Sequence, residues 1–344
     1  MYFGAIRKGP RNHIGDVGGI AVGNAEDIPA RTGVTVLLPE ARAVAGVDVR
    51  GGGPGTRETD ALDPVSLVDE VDGVVLSGGS SWGLEAASGV LAWLGVRERG
   101  FRAGSSPLVS PIVPAAILFD LANGGDKGWG EEPPYRALGR AACESATADF
   151  ALGNAGAGLG AIAGQYKGGL GSASALTESG LAVGALMVVN PFGAVVMPGS
   201  GCFWAAPYEL DGEFGARGWP DPLPAFAALD PFTGSKADIA PGSNTTIGVV
   251  ATNADLTPVE ARRVAIMAQD GLARAIRPVH TPVDGDTIFV LATGGCPLGA
   301  EARYRIVTGI GALAADCVAR AIARGVHEAV SLGNAPSWRA RHEA

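Results

Sequence analysis

Glycine accounts for 53 of the 344 residues and is scattered between apolar runs without a fixed period. That excludes a collagen-like repeat. It marks points where strands, helices and tight turns approach one another, or a ligand, more closely than a side chain permits. A chain of this kind is expected to pack its strands and helices closely, with tight turns between them. It has the material to fill them: 47% of its residues are apolar and 18% charged, a balance that supports a sizeable core and argues against disorder. The length fits one large domain or two ordinary ones, and we read 1–344 as a single domain.

Residues 33–39 and 44–49 read as strands, and 71–76 as a buried strand running into Ser77-Gly78-Gly79-Ser80-Ser81-Trp82-Gly83. A helix is expected over 84–96 and another over 135–147. Residues 113–118 fit a strand by length, while their pattern alone also suits a helix. Residues 182–189 and 194–197 read as two strands joined by the turn Asn190-Pro191-Phe192-Gly193. From 199 to 243 periodicity disappears while Pro, Gly and aromatics accumulate, and an irregular stretch that long is either functional or mobile. Order returns at Asn244, with a β-branched strand over 245–252. Thr257, Pro258 and Glu260 supply an N-cap, a first-position proline and a capping box for a helix reaching about Ile276, where Pro278 prevents continuation. A strand over 286–291 and a helical pattern over 302–330 complete the chain. Hairpin-like strand pairs mixed with helix pairs favour an α+β layered sandwich over a doubly wound sheet.

The formal charge of −9 argues against nucleic acid or an anionic membrane surface as a partner, since both need clustered Lys and Arg. Cys143, Cys202, Cys296 and Cys317 show neither CxxC pairing nor metal-ligand spacing, which suits reduced thiols in the cytoplasm. Residues 1–8 lack the apolar run of a signal peptide, and no stretch of about 18 apolar residues suggests a membrane span. His13, His280, His327 and His342 are scattered, so no metal site is expected, and no cofactor motif is complete.

Three constellations can carry chemistry. Gly242-Ser243-Asn244-Thr245-Thr246 joins the irregular stretch to a buried strand. A threonine hydroxyl is a weak nucleophile without a base, and an N-terminal threonine supplies one as its own α-amine, whose ordinary pKa is about 7.7–8.0. To free that amine, the Thr245 hydroxyl would attack the Asn244 carbonyl and give an ester that water hydrolyses. The same residues also serve as an ordinary strand start. Asp284 and Asp286 lie 39 and 41 residues downstream. On extended backbone they face one side and could orient Thr245, although Asp-Gly is also a common turn. The loop 77–83, between a strand and a helix, invites a phosphate-loop reading but matches neither GxGxxG nor GxxxxGK[ST], so a pocket wall or packing turn fits it better. Lys167 and Asn190 are ambiguous taken alone, as a loop lysine and a turn asparagine.

Taken together, residues 16–23, 32–36, 52–60, 77–83, 153–174, 244–253 and 280–287 resemble the family of L-aminopeptidase/D-esterases, β-peptidyl aminopeptidases and nylon-oligomer (6-aminohexanoate oligomer) hydrolases. The resemblance covers about residues 14–330 and is nearest to the nylon-oligomer hydrolases at Asn244-Thr245-Thr246, because other members use serine. It implies a four-layer αββα sandwich like that of N-terminal-nucleophile hydrolases but with different strand connectivity. It also implies autocleavage into an α chain (1–244) and a β chain (245–344) that stay together, as a tetramer of αβ units acting on a small amide or peptide without a cofactor. Thr245 carries over as nucleophile, Asp284 and Asp286 as the acidic pair that orients it, and Asn190 as oxyanion donor. Lys167 carries over as a site lysine, with Gln165 as the alternative position. Where characterised relatives place a tyrosine, and in some an acidic residue two positions before it, this chain has Phe119 and Ile117. With Trp82 these form the expected substrate pocket, and their apolar character favours a longer, less polar amide. Two other readings stand beside this one: a nucleotide- or metabolite-binding protein built on the glycine loops, and a homologue that has lost catalysis.

Overall fold

The computed structural model of the chain describes residues 3–225, 228–236, 244–301 and 303–343. In chain order its first strands are β1 (Ile6–Arg7), β2 (Ile20–Asp27), β3 (Thr32–Pro39), β4 (Ala43–Val49), β5 (Thr56–Arg57), β6 (Glu70–Val71) and β7 (Val74–Ser77). Then come α1 (Ala86–Gly95), β8 (Ala115–Ile117), α2 (Tyr135–Glu144) and the hairpin of β9 (Ile162–Ala163) and β10 (Tyr166–Lys167). The remainder is β11 (Gly169–Thr177), β12 (Ala182–Asn190), β13 (Thr245–Ala254), α3 (Pro258–Ala268), α4 (Asp270–Ala275), β14 (Thr287–Cys296), α5 (Arg303–His327) and α6 (Trp338–His342).

Two sheets form. One has the order β1-β11-β12-β13-β14-β4-β6, antiparallel except for the parallel pair β13–β14. The other has the order β2-β3-β7-β8-β5. Side chains alternate across the long central strands, so these serve two cores. Ile247, Val249, Phe289 and Leu291 of the larger sheet meet Val22, Leu37, Val74 and Leu76 of the smaller one in the layer between the sheets. Val250, Ile288 and Val290 point the other way, against Val264, Leu272, Val318 and Ile322 of α3, α4 and α5. Val34, Val36 and Val75 of the smaller sheet pack on Val90 and Leu94 of α1 and Ala142 of α2. The result is the expected α+β sandwich, layered helix, sheet, sheet, helix.

Glycine sets the spacing between layers. A Cβ on Gly171 of β11 would lie 1.9 Å from the Ala321 carbonyl of α5, so only glycine lets this helix seat on its sheet. Helix α5 has the length and apolarity of a membrane span, yet most of it is buried against the larger sheet as a core helix.

Some expectations need correction. The strand expected over 71–76 is two strands in different sheets, because the chain crosses between sheets at Asp72-Gly73. The Asp72 backbone N–H donates to the Ile112 carbonyl and its carboxylate accepts the Ile112 N–H at 2.8 Å, which fixes the crossing. Residues 194–197 are not a partner strand of β12: they make only isolated bridges to Arg277 and Phe203, and β13 takes that place in the sheet. The irregular stretch 199–243 is packed in part, since Phe203, Ala205 and Phe214 are buried, with Phe203 stacked on Trp338. Residues 226–227 and 237–243 of it, with Gly242 and Ser243, lie outside the described residues, as does Ala302. Helix α3 starts on the Thr257–Glu260 capping box with Pro258 at its first position. It breaks before α4, where the Gln269 side chain donates to the Asp48 carbonyl instead of pointing away from the helix.

Candidate active site

Strand β13 begins at Thr245, in the middle of the larger sheet, where Thr245 is the antiparallel partner of Asn190 at the end of β12. Asn244 bridges Asp284 in parallel on the other side. The sheet register therefore brings four of the expected residues, Asn190, Thr245, Asp284 and Asp286, to one point although they span almost a hundred positions. All four are buried, as is Asn244.

The Asn244–Thr245 peptide sits in a defined set of donors. The Thr245 hydroxyl donates to the Asn244 carbonyl, and the Gly285 N–H donates to the same oxygen at 3.0 Å. A Cβ on Gly285 would come within 2.7 Å of Thr245 Oγ1, so the glycine between the two aspartates lets the hydroxyl lie against that backbone.

The carboxylates are held by hydrogen-bond donors from several elements. Asp286 Oδ1 accepts the Thr246 N–H at 2.9 Å, and its Oδ2 meets the His280 N–H at 3.1 Å and His280 Nδ1 at 2.9 Å. Asp284 Oδ1 accepts the Phe192 N–H at 3.0 Å, and its Oδ2 accepts from the Thr281 N–H and hydroxyl. Burial, and then the charge of Asp286, push the Asp284 carboxyl above the ordinary carboxylate range.

Asn190 is fixed in orientation. Its Oδ1 accepts the Ile162 N–H at 2.9 Å and the Lys236 ammonium at 3.2 Å, which leaves Nδ2 as the donor, turned to the Phe119 carbonyl at 3.2 Å. Lys236 Nζ also donates to the Asn190 carbonyl at 3.1 Å. Part of the Lys236 side chain is exposed, but its ammonium end is enclosed, and burial pushes its pKa down to about 7 against the opposing charge of Asp284. Lys167 is also buried, donating to the Gly158 and Gly168 carbonyls at 2.9 and 2.7 Å. Burial pushes it to about 7 as well, and Gln165 beside it is exposed.

The other expected residues are placed less uniformly. Ile117 is buried, its N–H on the Gly55 carbonyl at 3.0 Å and its side chain against Gly55. The adjoining Gly53 and Pro54 pack on Gly285. Phe119 reaches the site through its carbonyl. Trp82 is 48% exposed, and no described contact brings it to Thr245, so its assignment to the pocket is not supported. Of Glu58, Asp60 and Asp120, other acids near this part of the chain, Glu58 Oε2 accepts the Val113 N–H at 3.1 Å, and Asp120 accepts the Thr32 hydroxyl and the Gly79 N–H at 2.6 and 2.8 Å.

The phosphate-loop reading of 77–83 fails on hydrogen bonding. The N–H groups of Gly78, Gly79 and Ser80 are spent on the Gly33 carbonyl, the Asp120 carboxylate and the Leu118 carbonyl. Gly79, at φ +86°, lies so close to the Tyr135 ring that no side chain fits there. Lys236, His280 and the Gly285 N–H were not singled out from sequence. Lys236 falls in the stretch without periodicity, where nothing local marks it.

A hydroxyl on a buried peptide carbonyl, flanked by two carboxylates and an oriented amide, is the equipment of acyl transfer. Comparison with known proteins agrees. The model of Peptidase family S58 matches residues 12–336, and the chain belongs to that family. A relative from Mycobacterium tuberculosis named as an uncharacterized aminopeptidase is 46% identical, over 95% of this chain and 97% of its own. The 6-aminohexanoate-oligomer endohydrolase of Kocuria sp. is 31% identical, over 88% of this chain and 82% of its own. Among solved structures, a β-aminopeptidase from Burkholderia sp. has a TM-score of 0.68 at 23% identity, covering 98% of this chain and 93% of that one. The L-aminopeptidase D-Ala-esterase/amidase of Ochrobactrum anthropi, described as a variant of the Ntn hydrolase fold, has a TM-score of 0.68 at 21% identity, covering 98% and 91%. The protein is a hydrolase of peptide or related amide bonds.

Proposed function

We propose that this chain cuts itself between Asn244 and Thr245 and then hydrolyses amides with Thr245 as an N-terminal nucleophile. The observation that carries the reading is the Thr245 hydroxyl set on the Asn244 carbonyl, with the Gly285 N–H on the same oxygen. In the self-cleavage, Thr245 Oγ bonds to the Asn244 carbonyl carbon as the C–N bond breaks. The hydroxyl proton passes by way of Asp284, whose proton affinity burial raises, to the departing Thr245 nitrogen. Charge on the Asn244 oxygen is met by the Gly285 N–H. Water then hydrolyses the ester, leaving an Asn244 carboxylate and a free Thr245 amine. In turnover that amine takes the hydroxyl proton, Asn190 Nδ2 faces the substrate oxyanion, and Asp284 and Asp286 orient the nucleophile.

Cleavage would not separate the chains. In the larger sheet β13 and β14 of the β chain lie between β12 and β4 of the α chain, hydrogen-bonded on both sides. Assembly as a tetramer of αβ units in the cytoplasm belongs to the same reading and is checked by light scattering of the purified protein. Thr245→Ala should abolish both self-cleavage and hydrolysis, and Thr245→Ser should keep some of each, since a hydroxyl remains. Turnover by Thr245→Ala overturns the reading.

Within that activity, Ile117 and Phe119 put apolar surface where a substrate ammonium would need acceptors. With Glu58 and Asp120 committed elsewhere, we take substrates with an extended aliphatic part, such as linear 6-aminohexanoate oligomers, over short amino-acid amides. The ratio of kcat/KM for an oligomer to that for a short amino-acid p-nitroanilide tests this, and a preference for the anilide contradicts it.

A further inference from the structure

Beside Asn190 lies a cavity of about 540 Å³ whose use the reaction above leaves open. One wall is the β9–β10 hairpin, with Ile162, Gln165 and Lys167. The others are Asn123 and its neighbours, just beyond Phe119, and the turn at residues 332–336. The cavity therefore adjoins the Asn190 amide: Ile162 lines it and donates its N–H to Asn190 Oδ1, and the chain leads from Phe119, whose carbonyl accepts from Nδ2, to the rim at 122–124.

Arg31 is built into this cavity. Its Nη1 donates to the Asn123 carbonyl at 2.9 Å, and Asn123 Nδ2 returns a bond to the Arg31 carbonyl at 2.7 Å. A Cβ on Gly333 would fall 2.3 Å from Arg31 Nη1, so the guanidinium lies directly against that turn. Arg31 has no ion pair among the described residues, and neither have Lys127 and Lys167 nearby. The acids of the region accept hydrogen bonds, Asp120 from Thr32 and Gly79, Asp27 from the Ala30 N–H at 2.9 Å and Asp126 from the Gly128 N–H at 2.8 Å, and their charges act on Lys127 and, for Asp120, on Lys167. Arg31 and Lys167 both line the cavity, and of the two Arg31 keeps its charge at any working pH and has no described carboxylate within ion-pair distance, so its guanidinium marks a place for an anion.

We propose that this cavity receives the carboxylate-bearing end of the amide substrate, with Arg31 as the residue that recognises it. The guanidinium fork matches a carboxylate in plane and charge. The leaving amine of a peptide, or of a linear ω-amino-acid oligomer, ends in that group. The inference rests on the reading of Thr245 and Asn190 as the reacting site, but its test does not need turnover.

The experiment is calorimetric titration of the full-length Thr245→Ala protein, in which no probe is consumed. The probes are N-acetyl-6-aminohexanoate, its terminal primary amide, and N-acetylglycylglycine. The carboxylate should bind at least about tenfold more tightly than its amide. Arg31→Met in the same background should erase that difference, and Arg31→Lys, which keeps charge but not the fork, should retain part of it. Preference for the aminohexanoate over the glycylglycine assigns the cavity to oligomers, and the reverse assigns it to peptides. Equal binding of acid and amide overturns the inference, as does a preference that survives Arg31→Met. If Arg31→Met does not melt as a folded protein, an undiminished preference in Arg31→Lys overturns it. Turnover by Thr245→Ala would instead sink the reading of the nucleophile and leave the binding result standing.

Discussion

Two buried charged clusters in this sandwich are built on opposite plans. On α5, Arg320 Nε meets Glu213 Oε1 at 2.6 Å and Nη2 meets Oε2 at 3.0 Å. The remaining guanidinium donors reach Asn12 Oδ1 at 2.7 Å and the Ser174 carbonyl at 2.8 Å. Here a buried charge faces its opposite in fork geometry, and the cluster ties the irregular stretch before residue 237 to the last long helix. Around Thr245, by contrast, two like charges are placed together and held by amides, a hydroxyl and an imidazole. The first arrangement favours the charged guanidinium of Arg320, whose pKa, against the cost of burial, the Glu213 hydrogen bonds raise. The second raises proton affinity at Asp284, the property that acid–base work needs. On the proposed reading, one cluster is a clamp across the chain break and the other the machinery for making it.

Substitutions should separate the two clusters by what they disturb. Glu213→Ala leaves Arg320 buried and unpaired, so stability should fall by about 3–5 kcal/mol, while kcat of the molecules that remain folded is unchanged. Guanidinium denaturation alongside active-site-normalised turnover measures both, and an unaltered midpoint would show that the ion pair is not a clamp. Asp286→Asn should do the reverse. An amide oxygen still accepts the Thr246 N–H, so the fold holds, but turnover should drop on the order of 10²-fold with the charge removed. Loss of folding with no change in kcat would make the acid pair a second structural cluster.

A smaller effect is expected at Lys236. Lys236→Met removes one of two donors on Asn190 Oδ1 and leaves the Ile162 N–H in place, so kcat should fall about tenfold with KM little changed. A rise in KM alone would place Lys236 on the substrate and not on Asn190. A further effect concerns pH. Folding lowers the pKa of Lys167 from its ordinary value to about 7, so between these values the unfolded chain holds a proton that the folded chain lacks. Stability from this group is complete above the unfolded value and is lost as pH falls through the folded one. Unfolding free energy should therefore rise between about pH 7.5 and 9.5, with Lys236 acting in the same sense, and Lys167→Met should flatten the rise. An unchanged slope would mean that Lys167 stays charged in the fold.

The legible parts of this molecule are those in which one local rule decides. The Thr257-Pro258-Glu260 start of α3 and the β-branched run of β13 are set by neighbours within a few residues, and both are where sequence places them. The Asp284/Asp286 pair was visible as an i, i+2 spacing, although its partners, from Phe192 to His280, come from pairing that no spacing reveals. Residues 71–76 read as one strand because apolar pattern does not say which sheet receives it, and the crossing at Asp72 depends on a contact with Ile112 forty positions away. Residues 194–197 misled for the same reason: a turn signal promises a hairpin, but β13 outcompetes the segment for the edge of β12. Lys236 was beyond reach, since a lone lysine in an irregular stretch acquires meaning only from the Asn190 beside which the fold sets it.

The account stands on the fate of one bond, and the direct measurement is the mass of the purified protein under denaturing conditions, with the N-terminal residue of each species. The account predicts two chains, residues 1–244 and a second of residues 245–344 that begins with Thr245, which migrate together under native conditions. A single 344-residue chain that hydrolyses amides while its Asn244–Thr245 bond remains whole would contradict it.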